Sequence, residues 1–220
     1  MLTAWILAAH IAVLGYWLGS EFVINSTYRY VSYSDQMPFE ERSRLMEHVM
    51  HVDQHVRYAL VLQATLGPIL AVLYGYIPGG NAAAIGIAIF GALWFVFVEL
   101  VHRLRHSSIG KTLGAIDRGS RYVLMAVLVA TALGLIGGAW PMPLWLRWKL
   151  ALFAGVMMCG VGIRIALIAH FRTWAVMARE GPNDTTNTII KRTYVRATSV
   201  LLLLWVFIAA ITVISVMKPA

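Results

Sequence analysis

Charge is scarce in this sequence. Of its 220 residues only 13% are Asp, Glu, Lys or Arg, while 60% are hydrophobic. A soluble domain is about half apolar and about a quarter charged, so the shortage argues against a soluble chain and for a bilayer. Cysteine is nearly missing too: Cys159 stands alone, which excludes any disulfide within the chain. Strict apolar–polar alternation is absent, and with it the signature of a closed transmembrane barrel. No internal repeat and no low-complexity tract breaks the chain into units.

What remains is a set of long apolar runs: 3–22, 57–76, 82–101, 122–140, 150–170 and 197–217. A helix needs about 20 predominantly apolar residues to span a bilayer. The runs predict an all-α, polytopic membrane bundle of six transmembrane helices in one domain, residues 1–220. The first run lacks a basic flank and a small-residue cleavage site, so it reads as a retained span. Pro38 precedes FEERSRLMEHVMHVDQ, which holds no Gly or Pro. One helix is therefore expected from about Phe39 to Tyr76, extended and amphipathic on the cytoplasmic side, with Pro68 as a possible kink. Asn25, Ser26 and Ser34 read as a loop after the first span.

The basic residues are lopsided. Fourteen of the 18 Lys and Arg follow runs 1, 3 and 5, and only Arg147, Lys149 and Lys218 lie on the other side. This bias predicts a multi-pass protein with both termini outside, periplasmic if the membrane is a bacterial inner membrane. It also accounts for the net charge of +8 without a nucleic-acid partner. The lipid bilayer is the expected partner.

Polar residues inside spans are costly and mark function. His48, His51 and His55 follow one helical stripe, by i, i+3, i+7 spacing, into the second span. His10, Trp17 and Glu21 share a face of the first. Glu99, His102 and His106 close the third, and Arg164 and His170 lie in the fifth. At about 1.5 Å per residue, Glu21, His55, Glu99, His102, Arg164 and His170 fall in or near the inner third. His10 lies about 10 Å inside the outer edge, level with Met157, Met158 and Cys159 of the fifth run. Arg164 is expected to meet Glu21, Glu99 or an anionic cofactor group.

Two chemistries suit these groups. Haem b takes histidines from two helices and basic side chains on its propionates, which makes His10, His55, His102, His170, Arg164 and Lys149 candidates for cofactor binding. A metal centre is the other, with His10, His51, His55, His102, His106, Glu99, Met157 and Met158 as candidate ligands. Glu99-x-x-His102 is the pair that di-iron bundles use. The soft sulfurs of Met157 and Met158 beside His10 suit Cu(I). Histidines that merely anchor helix ends, or bond within the bundle, are the bland alternative.

The first span, AHIAVLGYWLGSEF, places Trp17 seven residues after His10, and LWLRWKL ends its W-x-x-K at Lys149. In these motifs, and in its Met-Lys-Pro ending, the chain resembles the HemJ and CopD-like membrane proteins and a related family of predicted integral membrane proteins. The resemblance covers spans 1, 2, 5 and 6. It implies a haem-associated helical membrane protein: HemJ proteins bind haem b and oxidise protoporphyrinogen, and CopD proteins are linked to copper uptake. The resulting expectation is a bacterial inner-membrane electron-transfer protein. It would work alone or as a subunit beside a quinone or another redox subunit, possible homo- or hetero-oligomers included. A copper transport or assembly protein and a non-redox accessory subunit are the alternatives.

Overall fold

The computed structural model describes residues 1–105 and 107–219. Among these, the chain forms six helices: α1 Leu2–Tyr33, α2 Phe39–Leu73, α3 Gly80–Arg103, α4 Ser108–Ala132, α5 Leu144–Glu180 and α6 Asp184–Met217. Each packs against its neighbours in sequence, and α1 against α6 closes the ring. Five of the helices are long and apolar enough to cross a membrane by themselves, and α4 is the exception.

The fourth helix nevertheless runs the length of the bundle. Its first residues line a cleft with the end of α3 and with α2. Its last turn meets the start of α5, where Arg147 donates to the Thr131 carbonyl at 3.2 Å. Just beyond, Trp140 and Met142 pack with Tyr76, Ile77 and Leu146. At 25 residues α4 is about 37 Å long, enough for a hydrocarbon core of about 30 Å. The expected run 122–140 was thus placed too late. Ser107 caps the helix by accepting from the Gly110 N–H at 3.0 Å, which starts it early. Gly134 and Gly137, at φ 78° and 66°, end it early.

Two further elements outrun the sequence reading. The first helix continues to Tyr33, through the segment expected to be a loop. Its polar groups are satisfied within the fold: Ser26 and Ser34 donate to Val23 and Tyr30 carbonyls, and Asn25 accepts from Thr198 at 3.1 Å. The fifth helix continues to Glu180, where Gly181 at φ 82° and Pro182 stop it. After two residues the Asn183–Thr186 capping box, two bonds of 2.9 Å, starts α6. The second helix runs unbroken through Pro68, as one helix over nearly its expected length.

α1, α2, α5 and α6 therefore extend together past the shorter α3. They hold a second core of Tyr28, Met46, Val49 and Tyr194 beyond the main one. The main core, between the same four helices, is Trp17, Ala59, Val156, Cys159, Leu204 and Ile208. Both termini sit at the far end, where Lys218 lies 5.9 Å over the Trp145 ring and Ile6 packs on Ile69 and Val72. The end that carries the α1–α2, α3–α4 and α5–α6 turns is the basic end.

Lipid tails are as apolar as the core, so close packing at small residues has to hold such helices together. Gly91 of α3 faces Thr65 of α2, and a Cβ on Gly91 would lie 2.2 Å from the Thr65 methyl. The short, branched Thr65 side chain cannot swing clear of it. We expect Gly91→Val to destabilise the bundle by about 1–3 kcal/mol, read as a lower midpoint in a denaturant titration of the detergent-solubilised protein. A Gly91→Val protein with the parent's midpoint would mean that the α2–α3 interface yields easily.

Candidate functional site

A heavily charged concavity lies at the basic end. A cleft of about 610 Å³ opens between α2, the end of α3, the first half of α4 and α5. Cofactor and small-molecule sites span about 300–1,000 Å³. Five cations line it, namely Arg57, Arg105, Lys111, Arg118 and Arg164, against the acids Glu47, Asp53 and Asp117. Two of those acids are already engaged: Asp53 with Arg57 at 3.1 Å, and the buried Asp117 with Arg121 at 2.7 Å. No ion pair among the described residues involves Lys111, Arg118 or Arg164. The cleft therefore presents net positive charge, and low-dielectric walls strengthen its pull on anions.

The helical patterns explain this concentration. Lys111, Gly114 and Arg118 recur on one stripe of α4 at i, i+3, i+7, as do Met50, Asp53 and Arg57 on α2. The glycines of α4 leave room between the long side chains. Arg164 reaches the cleft from within the fifth span. It lies in a group with Arg57, Arg118, Arg121 and Asp117, and not with Glu21 or Glu99 as the sequence suggested. Glu21 is buried and accepts from the Trp17 indole at 3.2 Å.

His102 lies on the cleft wall, half-buried, and His51 of α2 stands opposite with ring centres 6.0 Å apart. Two imidazoles that share one metal ion, with bonds of about 2.0–2.1 Å, stand roughly that far apart. The Arg105 guanidinium lies 3.1 and 3.2 Å from the two His102 ring nitrogens. An arginine can only donate, so the ring acts as acceptor toward it. Glu99, expected to pair with His102 as a metal ligand, is committed elsewhere. One of its oxygens accepts from Arg103 at 2.5 Å and the other from the Tyr58 hydroxyl. Among the described residues no group of three His, Cys, Asp or Glu side chains gathers around one point. His106 lies outside the described residues.

The remaining candidates are dispersed. His55 is exposed and shares a hydrogen bond of 2.5 Å with Tyr16, which ties α2 to α1. His10 sits near the other end of α1, with its ring 3.6 Å from the position of a Cβ on Gly67 and its Nδ1 buried without a partner. Gln63 donates to the His10 carbonyl at 2.9 Å. Met157 is buried, whereas Met158 is 61% exposed and points away from the bundle. The paired sulfurs expected beside His10 thus lie on different faces of α5.

His170 is completely buried beyond the main core. Its ring stacks on Trp174 at 5.5 Å, meets Tyr28 edge-on at 4.8 Å, and its Nδ1 pairs with Thr193 at 3.1 Å. The guanidinium of the equally buried Arg42 also lies over Trp174, at 5.5 Å. Sequence reasoning missed Arg42. It lies in the first turn of a helix, among exposed charges, and nothing local marks it for burial. Comparison of the chain with protein-family models, with curated proteins and with solved structures gave no match.

Proposed function

We propose that the protein is a membrane-integral haem b protein that transfers electrons, with the haem seated in the basic cleft. The observation that carries this reading is the juxtaposition of His102, with His51 6.0 Å away, and five cations on the walls of one cofactor-sized cleft. The donor set fits the group: His102 and His51 would hold the iron, and Arg57, Lys111, Arg118 and Arg164 the propionates. When bound, haem would supply one-electron redox chemistry. The chain's own part is to hold the imidazoles on facing helices and two carboxylates at the membrane boundary; the single lone pair of His102, which Arg105 now holds, would pass to the iron.

In this proposal the membrane is a bacterial inner membrane, the cleft is cytoplasmic, and a quinone or a neighbouring redox subunit exchanges the electrons. The motif resemblance to HemJ and CopD-like proteins supports a haem-associated membrane protein in general, and its His10 and Lys149 lie at the other end of the bundle from this cleft. An optical spectrum of the purified protein tests it. A Soret band that shifts with dithionite is the expected result. A colourless protein that takes up no added hemin overturns the reading.

The cations make a separate prediction. Replacing Lys111 and Arg118 together by Gln should weaken hemin binding by about tenfold while leaving the Soret position unchanged, because charge-assisted bonds to propionates are lost but the iron ligands stay. Unchanged affinity in a hemin titration would move the propionates out of this cleft.

A second reading, Cu(I) binding, draws on the unpartnered Nδ1 of His10 and the buried thioether of Met157. Copper found by elemental analysis, in a protein with no Soret band, would favour it.

A further inference from the structure

Past the main core, where α1, α2, α5 and α6 extend together, the structure buries polar groups that have no partners. Arg42 and Ser32 and His170 are each 0% exposed, and Tyr28 is 5% exposed. The Arg42 Nη1 donates to Asn187 at 2.9 Å. Its Nε and Nη2 are buried without partners, as are the hydroxyls of Tyr28 and Ser32, the Nε2 of His170 and one oxygen of Asp35.

These atoms belong to one neighbourhood. The Arg42 guanidinium and the His170 ring cover Trp174 at the same 5.5 Å, and Tyr28 meets His170 at 4.8 Å. Ser32 lies one helical turn beyond Tyr28 on the same face of α1. A buried guanidinium is costly unless it is paired. The nearby acid, Asp35, faces both Lys191, which holds one of its oxygens, and Arg42, so two cations share one carboxylate and one positive charge is left over. The free edge of Arg42 is the Nε–Nη2 side, the two parallel N–H groups that grip a carboxylate or phosphate bidentately.

We propose that this pocket of unpartnered donors is a binding site for a soluble tetrahedral oxyanion of the phosphate class, separate from the basic cleft. The Arg42 fork takes two of its oxygen positions, and the Tyr28 and Ser32 hydroxyls donate to others. A tetrahedral oxyanion suits these dispersed donors better than a planar carboxylate, whose two oxygens the fork alone would engage. Its negative charge balances the one uncompensated cation.

The Arg42–Asn187 side of the site lies outside the lipid. Arg42 comes fifteen residues before the apolar run that starts at Arg57, about 22 Å along the helix, and Asn187 ten residues before the run at Ala197, about 15 Å. The headgroup layer is only about 5–8 Å deep on each side. An open groove of about 580 Å³ over the α1–α2 turn, lined by Tyr33, Asp35 and Glu41, borders this neighbourhood at Asp35.

The test uses the full chain in neutral, phosphate-free detergent, with Trp fluorescence and thermal midpoint as readouts. Inorganic phosphate should bind saturably, shift the fluorescence of Trp174 and raise the midpoint. Arg42→Lys keeps the charge but not the fork, and should weaken this by about tenfold or more. Ser32→Ala, which removes one hydroxyl, should weaken it by a smaller factor and serves if Arg42→Lys does not fold. A folded parent with no response to phosphate overturns the proposal and leaves ordered water as the partner of these groups. A response to phosphatidylglycerol in mixed micelles, with none to free phosphate, overturns the soluble ligand. Equal phosphate affinity in parent and folded Arg42→Lys overturns the fork.

Discussion

His102→Ala should lower the affinity for haem by at least about 100-fold and leave the helical fold intact. Replacing even outer-shell partners of a metal ligand costs about 10–100-fold, and this change removes a first ligand. Fold should survive because, among the described residues, the His102 side chain bonds to Arg105 alone, at 3.1–3.2 Å, and lies at the rim of a cleft. A hemin titration followed at the Soret band measures the loss, and far-UV circular dichroism checks the helices. His51→Ala should weaken binding and shift the spectrum to that of a haem with one histidine. His10→Gln should leave the spectrum unchanged, because His10 belongs to the opposite half of the bundle, against Gly67. A His102→Ala protein that loads fully, with a His10→Gln protein that does not, would move the haem from the basic cleft to the far half.

Trp174→Ala should cost about 3 kcal/mol of stability. The indole packs against two buried polar side chains: His170 stacks on it at 5.5 Å, and Arg42 lies over it at 5.5 Å. Phe39 adds a tilted ring contact at 5.3 Å. Large-to-small truncation of such a ring costs about 3–5 kcal/mol, and Trp174 belongs at the low end because it is only half-buried. The cation–π contact is lost as well, about 0.5–2 kcal/mol of the same total. Trp174→Phe keeps an aromatic face and should lose much less. Denaturation midpoints in detergent distinguish the two. Equal midpoints for Trp174→Ala and the parent would mean that the extended ends of the helices contribute nothing to stability.

The membrane character and the helix count were legible because each rests on a local quantity. Lipid demands backbone groups satisfied within a segment, so length and hydropathy alone identify α1, α2, α3, α5 and α6. The fourth helix was found but shifted. Hydropathy follows lipid exposure, while the helix ends follow the Ser107 cap and the Gly134 turn. Its charged first half is helical because it faces a polar cleft, which is a property of its neighbours. The loop expected at Asn25 failed for the same reason: its carbonyl oxygen is claimed by Thr198, 173 residues away.

The candidate site was legible in its residue types and not in its grouping. By itself the sequence determined an all-helical membrane chain, the side on which its basic residues gather, and the stripe that carries His51 toward the bilayer. Those follow from composition and from the 3.6-residue repeat, which are fixed before any helix meets another. Only the tertiary structure decided that His51 faces His102, that Arg164 joins Arg118 and not Glu21 or Glu99, that Met158 points outward, and that Arg42 is buried over Trp174. Each of these depends on the rotation of one helix about its axis against a partner. In a bilayer that rotation is set by close packing at positions such as Gly67 and Gly91 and by bonds between helices, not by hydropathy, to which the lipid is blind.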